Sequence, residues 1–509
     1  MTVINPNSIS GITSITLPSG DGNVLTIHTN DGVERFRIDS SGNVKVGSAC
    51  TISQDGDVFF TGVTTATTFT GAHSGNGANL TNLPAANVTG TLPAISGANL
   101  TNLPAANITG TLPAIDGSAL TGIGGTDFIH AEQISVSGVT TSQAFVPTTG
   151  QLSHRNIVIN GAMRIAQRGT SSTSDGYQTV DRFYQESANN DESPTFAQVD
   201  VSSSDSGENP YAAGITKAFK ITNGNQTSGA QTNSYARVST VLEAGDLRNS
   251  GWNYTSSSSF ITLSFYVKSS VAQNFYGMMF TQDGTTQSFS FETGALTANT
   301  WKRVTVTAAG TSNIQFDDNA KQGFYIYWWA YNGTDYTASS GNNFGSFGAF
   351  NSSARTPDNT TTWWTTNDAT FEITGVQLEV GPVATPFEHR SYGDELKLCQ
   401  RYFEIIEYEG YVFHGYQPSA SSCEFFIHWN TEKRANPSVT LPTVGTSSGQ
   451  INPTNYQGSN LSGGSLGVFT IKKVCARVTG GSWSNGTAGA PCALYSGGAS
   501  AYIYISAEL

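Results

Sequence analysis

The sequence predicts an all-β, fibrous protein that assembles as a homotrimer, and three observations lead there. The first seventy or so residues alternate short apolar runs with turn dipeptides: NVLTIHT, Asn30-Asp31-Gly32, VERFRID, Ser41-Gly42-Asn43, VKVG. A twenty-residue passage, GANLTNLPAANVTGTLPAIS at 77–96, returns as GANLTNLPAANITGTLPAID at 97–116, changing only Val88 to Ile108 and Ser96 to Asp116. From about residue 151, strand-like runs succeed one another.

The N-terminal β region, 1–70, is a run of hairpins. Phe36 and Ile38 alternate with Arg35 and Arg37, so at best one face is apolar and that face needs a partner. The repeat follows within 71–126. Its prolines at 84, 93, 104 and 113 exclude a continuous α-helix. Glycine does not recur every third residue, which excludes collagen. Two copies and a fragment are too few coils for a single-chain solenoid. Yet Leu80, Leu83, Val88, Leu92 and Ile95 recur in register as Leu100, Leu103, Ile108, Leu112 and Ile115. Identical chains wound around one axis would cover that stripe, and a threefold closure leaves no strand edge exposed. The segment is therefore expected to be a trimeric shaft, with a linker at 127–150.

In 151–390, RNIVINGAMRIAQRG, AFKITN, YARVSTV, FITLSFYVKSS, FYGMMF, WKRVTVTA, GFYIYWWAYN and TFEITGVQLEV have the lengths and spacing of a two-sheet sandwich. Ile261, Leu263, Phe265 and Val267 alternate with Thr262, Ser264, Tyr266 and Lys268, one face for the core and one for solvent. In 391–509 a helix starts at Ser391 and Asp394, spaced as a capping box. Strands resume with CEFFIHW, SVTLP, GVFTIKKV and AYIYISAEL, a smaller β domain.

Composition narrows the function. Charged residues are 12% of the 509, the net charge is −13, and the 24 Lys and Arg are scattered, so nucleic acid is not an expected partner. No run of about 18 apolar residues appears, and MTVINPNSIS has neither a basic nor an apolar leader region, so a soluble protein made in a cytoplasm, without membrane insertion, is expected. The five cysteines form no CxxC pair and are expected to be inert; a Cys475–Cys492 bridge is conceivable.

These residues resemble the tail fibres of tailed bacteriophages, particularly of marine phages such as cyanophages. ERFRIDSSGNVKVG (34–47) looks like a strand-turn-strand unit of virion fibres, and the L-P-A repeat is similar to fibre stems. NIVINGAMRIAQRG (156–169) with VDRF (180–183), LSFYVKSS, WKRVTVT and ITGVQLEVGPVATPFE (373–388) resemble a carbohydrate-binding-like jelly roll. CQRYFE, EKRANPSVT and the final AEL are similar to fibre tip segments. The resemblance implies a homotrimeric virion appendage, synthesised in the host cytoplasm. Its N-terminal region would meet tail or baseplate proteins, and its C-terminal tip domain a host surface glycan or outer-membrane receptor.

Glycan recognition uses aromatic faces with planar polar groups at the rim. In YIYWWAY, Tyr325, Tyr327 and Trp329 share one face and Ile326 and Trp328 the other, so the cluster is read mainly as sandwich packing. Trp363 and Trp364 lie in a Thr-rich stretch that looks like a loop and are candidate contacts, with Tyr411, Tyr416, Trp429, Tyr456 and Trp483 in the last domain. A polysaccharide-cleaving tailspike would need paired carboxylates across a cleft. Asp317-Asp318, Asp394-Glu395 and Glu407-Glu409 read as turn, helix-start and strand-surface acids, so no enzyme is expected. No cofactor is expected; calcium on the oxygens of Asp317 to Asn319 is the metal left open. The other readings are a purely structural fibre without a receptor and the tailspike.

Overall fold

The fold is known from a computed structural model that describes residues 24–29, 31–48, 50–61, 63–65, 67–68, 70, 153–441, 452–455, 465–481 and 486–509. The repeat, with its expected trimer core at Leu80, Leu83, Val88, Leu92, Ile95, Leu100, Leu103, Ile108, Leu112 and Ile115, lies outside the described residues. The chain divides into two compact units, Met1–Ile134 and Ser135–Leu509.

The first unit contains a five-stranded antiparallel meander, β1 (Leu25–His28), β2 (Glu34–Ile38), β3 (Val44–Val46), β4 (Cys50–Ile52) and β5 (Val58–Phe60), in sequential order. Gly32, Gly42 and Gly56 close its turns at φ of 77°, 83° and 90°, where a side chain would be strained. Each donates its N–H to the carbonyl three residues back, at 2.9, 2.9 and 3.0 Å. The register pairs Leu25 with Ile38, Ile27 with Phe36, Phe36 with Val46, Ile38 with Val44, Val44 with Ile52, Val46 with Cys50, Ile52 with Val58 and Cys50 with Phe60. Directly opposed residues share a face, so this face is apolar apart from Glu34, which alternates with Phe36 and Ile38 at the start of β2, while Thr26, Arg37, Lys45 and Thr51 take the other. No described residue of this sheet is buried; Ile27 and Phe60 are 54% and 53% exposed.

The second unit opens on a β-sandwich of β6 (Ser171–Ser172), β7 (Phe183–Ala188), β8 (Thr195–Asp200), β9 (Ser206–Gly207), β10 (Lys217–Thr222), β11 (Tyr235–Glu243), β12 (Phe260–Ser269), β13 (Tyr276–Thr281), β14 (Gln287–Glu292), β15 (Thr300–Ala309), β16 (Gln322–Asn332), β17 (Gly348–Ala349) and β18 (Thr370–Val380). One sheet runs β6-β8-β10-β18-β12-β15-β9 and the other β17-β14-β13-β16-β11-β7. Pairing is antiparallel apart from β9 on β15. The chain crosses repeatedly between the sheets, as in a jelly roll. Between them lie Phe183, Phe219, Leu263, Phe265, Phe324, Ile326, Trp328, Phe371 and Leu378, all buried.

Two strand expectations need correction. RNIVINGAMRIAQRG is not a strand but an irregular, buried passage, with Asn160 and Met163 at φ of 61° and 56°. Scattered backbone bonds, such as Ile157 N to Leu378 O at 2.9 Å, and bonds from side chains stand in place of a regular ladder. Asn160 Nδ2 donates to the Ile165 and Asp181 carbonyls, both at 2.9 Å, and Asn156 Nδ2 to Val376 O at 3.0 Å. The polar side of β12 is also not open to solvent throughout. Thr262 and Ser264 are 0% and 2% exposed, and Thr262 Oγ1 donates to Gly381 O at 2.6 Å.

Helix α1 (Ala244–Arg248) follows β11, α2 (Thr362–Thr365) precedes β18, and α3 (Tyr392–Gln400) leaves the sandwich. Ser391 caps α3 as its spacing predicts, accepting from Asp394 N at 3.2 Å. Beyond it come β19 (Phe403–Ser419), β20 (Ser422–His428), β21 (Ser438–Thr440), β22 (Asn452–Asn455), β23 (Ser465–Ile471), β24 (Cys475–Gly481) and β25 (Pro491–Ser506). They form a seven-stranded sheet ordered β21-β25-β19-β20-β24-β23, with β22 also on β25. Cys475 on β24 and Cys492 on β25 are separated by β19 and β20, so the conceivable bridge between them does not exist.

Charged side chains fasten this sheet to the sandwich. Arg182, 2% exposed, binds Glu508 and Val241 O and lies 3.5 Å from the centre of the Tyr402 ring. Glu243 accepts from Arg401 Nε and Nη2, each at 2.8 Å, and from Tyr402 OH at 2.7 Å. Burial opposes the charge on Glu243, but these donors outweigh it and hold its pKa below the ordinary range.

Candidate functional site

The outer face of the second sandwich sheet gathers aromatic residues from separate strands. Register places Glu186 (β7), Arg237 (β11), Trp329 (β16), Tyr276 (β13) and Glu292 (β14) in one row. Tyr184, Ser239, Tyr327, Met278 and Ser290 form the next, and Val241, Tyr325, Phe280 and Ser288 the one after. The alternate residues of these strands, such as Phe183, Val238, Ile326, Trp328 and Met279, fill the core. Period two thus divides one aromatic-rich sequence between interior and surface.

Along β16 the rings form an offset stack. Tyr325 and Tyr327 lie 5.6 Å apart at 3°, and Tyr327 and Trp329 5.3 Å apart at 21°. Trp329 closes the buried end at 1% exposure, while Tyr325 and Tyr327 remain half-buried. Arg237 lies 4.8 Å from the centre of Tyr327 and 5.2 Å from that of Tyr235. Glu186 anchors this corner by accepting from Arg237 Nε and Tyr235 OH, both at 2.9 Å. Segment 336–355 closes the same corner, with Arg355 4.3 Å from the centre of Tyr336 and Tyr336 edge-on to Tyr235.

Burial raises the phenol pKa of both Tyr325 and Tyr327, so both stay protonated donors at neutral pH. Asp175 beside Glu186 is likewise held above its ordinary range by burial, and the Glu186 charge adds to that. The face thus offers apolar ring surface, phenol hydroxyls and a fixed guanidinium. Such a set can pack on C–H groups and grip hydroxyls at once.

The residues singled out from sequence lie mostly elsewhere. Trp363 and Trp364 are not loop contacts: they form α2 and are 0% exposed. Asn223 Nδ2 holds the turn by donating to the carbonyls of Trp363, Trp364 and Thr366 at 3.2, 2.7 and 3.1 Å. Trp429 is 7% exposed, packed in the core of the C-terminal sheet, with Nε1 donating to Lys473 O at 2.7 Å, so it too is no surface contact. Tyr416 is exposed on β19, its hydroxyl 3.1 Å from Glu424. Tyr411 lies on the same strand, its side chain outside what is described; Tyr456 and Trp483 are outside the described residues. Sequence reasoning therefore passed over Tyr325 and Tyr327. Their signal was the YIYWWAY alternation, read as packing.

A second concavity lies where α3 meets the sandwich, in adjoining clefts of about 730 and 580 Å³ that share His154, Arg390, Leu398 and Arg401. Their charges are largely spent internally: Arg390 pairs with Glu395 at 3.3 Å, Arg401 with Glu243, and Glu388 accepts from Asn156 N at 2.9 Å. Among the described residues no group of His, Cys, Asp and Glu side chains could hold a metal ion. The oxygens considered for calcium have protein donors, Asn319 Oδ1 accepting from Lys321 N at 2.8 Å and Asp318 from Asn249 Nδ2 at 3.1 Å.

No family model and no curated protein matches the sequence. Solved structures similar in fold include the enzymatically active domain of bacteriophage CBA120 tailspike protein 4, at 9% identity and a TM-score of 0.24, over 44% of this chain and 21% of that one. A family 11 carbohydrate-binding module of a Clostridium thermocellum cellulase aligns at 13% and 0.20, over 43% of this chain and 98% of the module. The tandem carbohydrate-binding modules of Paenibacillus barcinonensis Xyn10C align at 9% and 0.22, over 72% of this chain and all of theirs. Likeness this slight assigns no ligand and no activity to the chain.

Proposed function

We propose that the chain is a homotrimeric tail-fibre subunit of a phage virion that binds a host surface glycan during adsorption and does not cleave it. The observation that carries the reading is the Tyr325–Tyr327 stack on the outer face of the sandwich, flanked by Arg237, Tyr184, Tyr276 and Phe280. Sugars are amphipathic, and ring faces edged by a guanidinium and phenols suit them. The net charge of −13 favours a neutral glycan over an anionic one. Weak sites suffice, because several copies on one particle raise the effective concentration of each after the first has bound. Homotrimer formation is supported by the apolar face of the N-terminal sheet, which its own strands leave uncovered, and by the in-register stripe of the repeat. The N-terminal region would attach to the tail or baseplate.

The test is retention of the full chain on host-surface polysaccharide and on a glycan array, with reducing ends assayed in parallel. Wild type is expected to bind without releasing reducing ends, and Tyr327→Ala to weaken binding about tenfold, the loss of roughly 1.4 kcal/mol of ring contact. Binding unaffected by Tyr327→Ala would overturn the assignment of the face. Release of reducing ends would favour the tailspike.

A further inference from the structure

At one end of the sandwich, away from the stacked rings, the two sheets part around a cavity of about 440 Å³. Its wall is Tyr254 from the segment before β12, its floor Gln287 at the start of β14, and its rim Thr285, Ser312, Asn313 and Gln315. The lining contains no Asp, Glu, Lys, Arg or His. This contrasts with the clefts beside α3, each of which is lined in part by Asp, Glu and Arg side chains.

Gln287 is the informative member. It is 1% exposed, and its Nε2 donates to the carbonyls of Thr285 and Thr286 at 3.1 and 3.2 Å. Its Oε1 is buried and accepts nothing. An unpaired buried amide oxygen costs about 1–3 kcal/mol, a cost that a donor reaching it would remove. The wall is fixed as well. Tyr254 stands edge-on to Phe316 at 5.0 Å and 82° and to Trp252 at 6.1 Å and 68°, so its remaining surface is a half-buried aromatic plane held in place before any ligand arrives.

We infer that this mouth is a second binding site, for a neutral sugar residue. A hydroxyl can donate to Gln287 Oε1 while neighbouring hydroxyls exchange hydrogen bonds with the Asn313 and Gln315 amides and Ser312, each of which donates and accepts. The C–H face of a pyranose meets Tyr254 and the buried Ile314. Anionic ligands are disfavoured, because no lining side chain balances them and the carboxylates of Asp283 and Asp317, on neighbouring turns joined by the Asp317 N–H donating to Asp283 Oδ2 at 3.0 Å, make the surroundings negative. The volume lies within the range of roughly 300–1,000 Å³ that small-molecule pockets occupy. The site draws on none of the residues of the stacked face, so it stands whether or not that face binds glycan.

Saturation-transfer NMR on the full chain tests it, with methyl α-glucopyranoside, methyl β-galactopyranoside, methyl α-mannopyranoside and glucuronate as probes. At least one neutral glycoside is expected to show transfer, and glucuronate much less. Gln287→Met, which keeps the volume and removes the orphan oxygen, should weaken that affinity roughly tenfold. Asn313→Ala, at an exposed rim position, should weaken it severalfold without touching the core, and Tyr327→Ala should leave it unchanged. The site is refuted if no neutral glycoside shows transfer, or if Gln287→Met and Asn313→Ala both bind like wild type. Transfer abolished by Tyr327→Ala alone would also refute it and assign the signal to the stacked face.

Discussion

Replacing Trp364 by alanine separates a packed tryptophan from a receptor contact, because the two roles predict opposite results. The ring is 0% exposed, lies 5.0 Å from the Tyr331 ring, and donates Nε1–H to Gly229 O at 3.2 Å. Removing a buried Trp side chain costs about 3–5 kcal/mol, and the Gly229 carbonyl left without its donor adds about 1. At a few degrees per kcal/mol, the melting temperature should fall by on the order of 10 °C. Trp363 refines the test. It is equally buried, but its Nε1 has no partner, so Trp363→Phe removes an orphan donor together with some volume and should cost less than Trp364→Phe, which loses a made hydrogen bond. Calorimetry of the full chain reads the melting temperatures, and glycan retention is measured well below them, where all variants are folded and should bind like wild type. A Trp364→Ala protein that melts like wild type yet no longer binds would refute the packing argument and return both rings to the surface.

Asp181, buried and pushed up to about 6 chiefly by desolvation, makes stability fall as pH rises. The fold retains a proton that an unfolded aspartate, with a pKa near 3.9, has released, so its stabilising effect is complete below about pH 4 and lost above about 6. Between pH 4 and 7 the wild type should lose about 3 kcal/mol more than Asp181→Asn, read from denaturant midpoints; equal slopes would show that Asp181 titrates normally. Ile38→Lys places a charge in the middle of the apolar face of the N-terminal sheet and should lower the mass seen by sedimentation from that of an assembly toward one chain. An unchanged mass for that variant would mean the face is not where copies meet.

The parts of the fold legible in the sequence are those fixed by neighbours a few residues away. Ile261, Leu263, Phe265 and Val267 bury one side of β12, Ser391 caps α3, and Gly32 and Gly42 close hairpins because only local geometry is involved. What could not be read depends on distant partners. The Thr-rich flanks of Trp363 and Trp364 look like a loop, yet Asn223, about 140 residues earlier, ties their carbonyls and draws the rings inward. NIVING has the composition of a strand, but Asn156 and Asn160 supply hydrogen bonds that release it from any ladder. For the candidate face, the alternation of Tyr325 and Tyr327 was visible, but the register that brings Arg237, Tyr184 and Phe280 beside them was not. Gln287 carries no sequence signal, because an orphaned oxygen exists only in three dimensions.

The two units meet the demand for burial in different ways, and the difference bears on assembly. The sandwich encloses its own core between two sheets, and the C-terminal sheet buries Phe425, Ile427, Leu494, Ile503 and Ile505 on one side. The N-terminal meander has a single layer and no described residue buried, so at about 25 cal/mol per Å² the burial that would order it has to come from beyond its own strands. The partner must match a surface that is apolar from Leu25 through Phe60 apart from Glu34 at the start of β2, while Arg37 and Lys45 lie on the reverse. A partner recognised by charge gains little there. An equally apolar sheet of the same twist gains most, because twisted sheets pack face to face at a small angle with their side chains interdigitated. In the homotrimer proposed above, another copy of this chain supplies such a sheet.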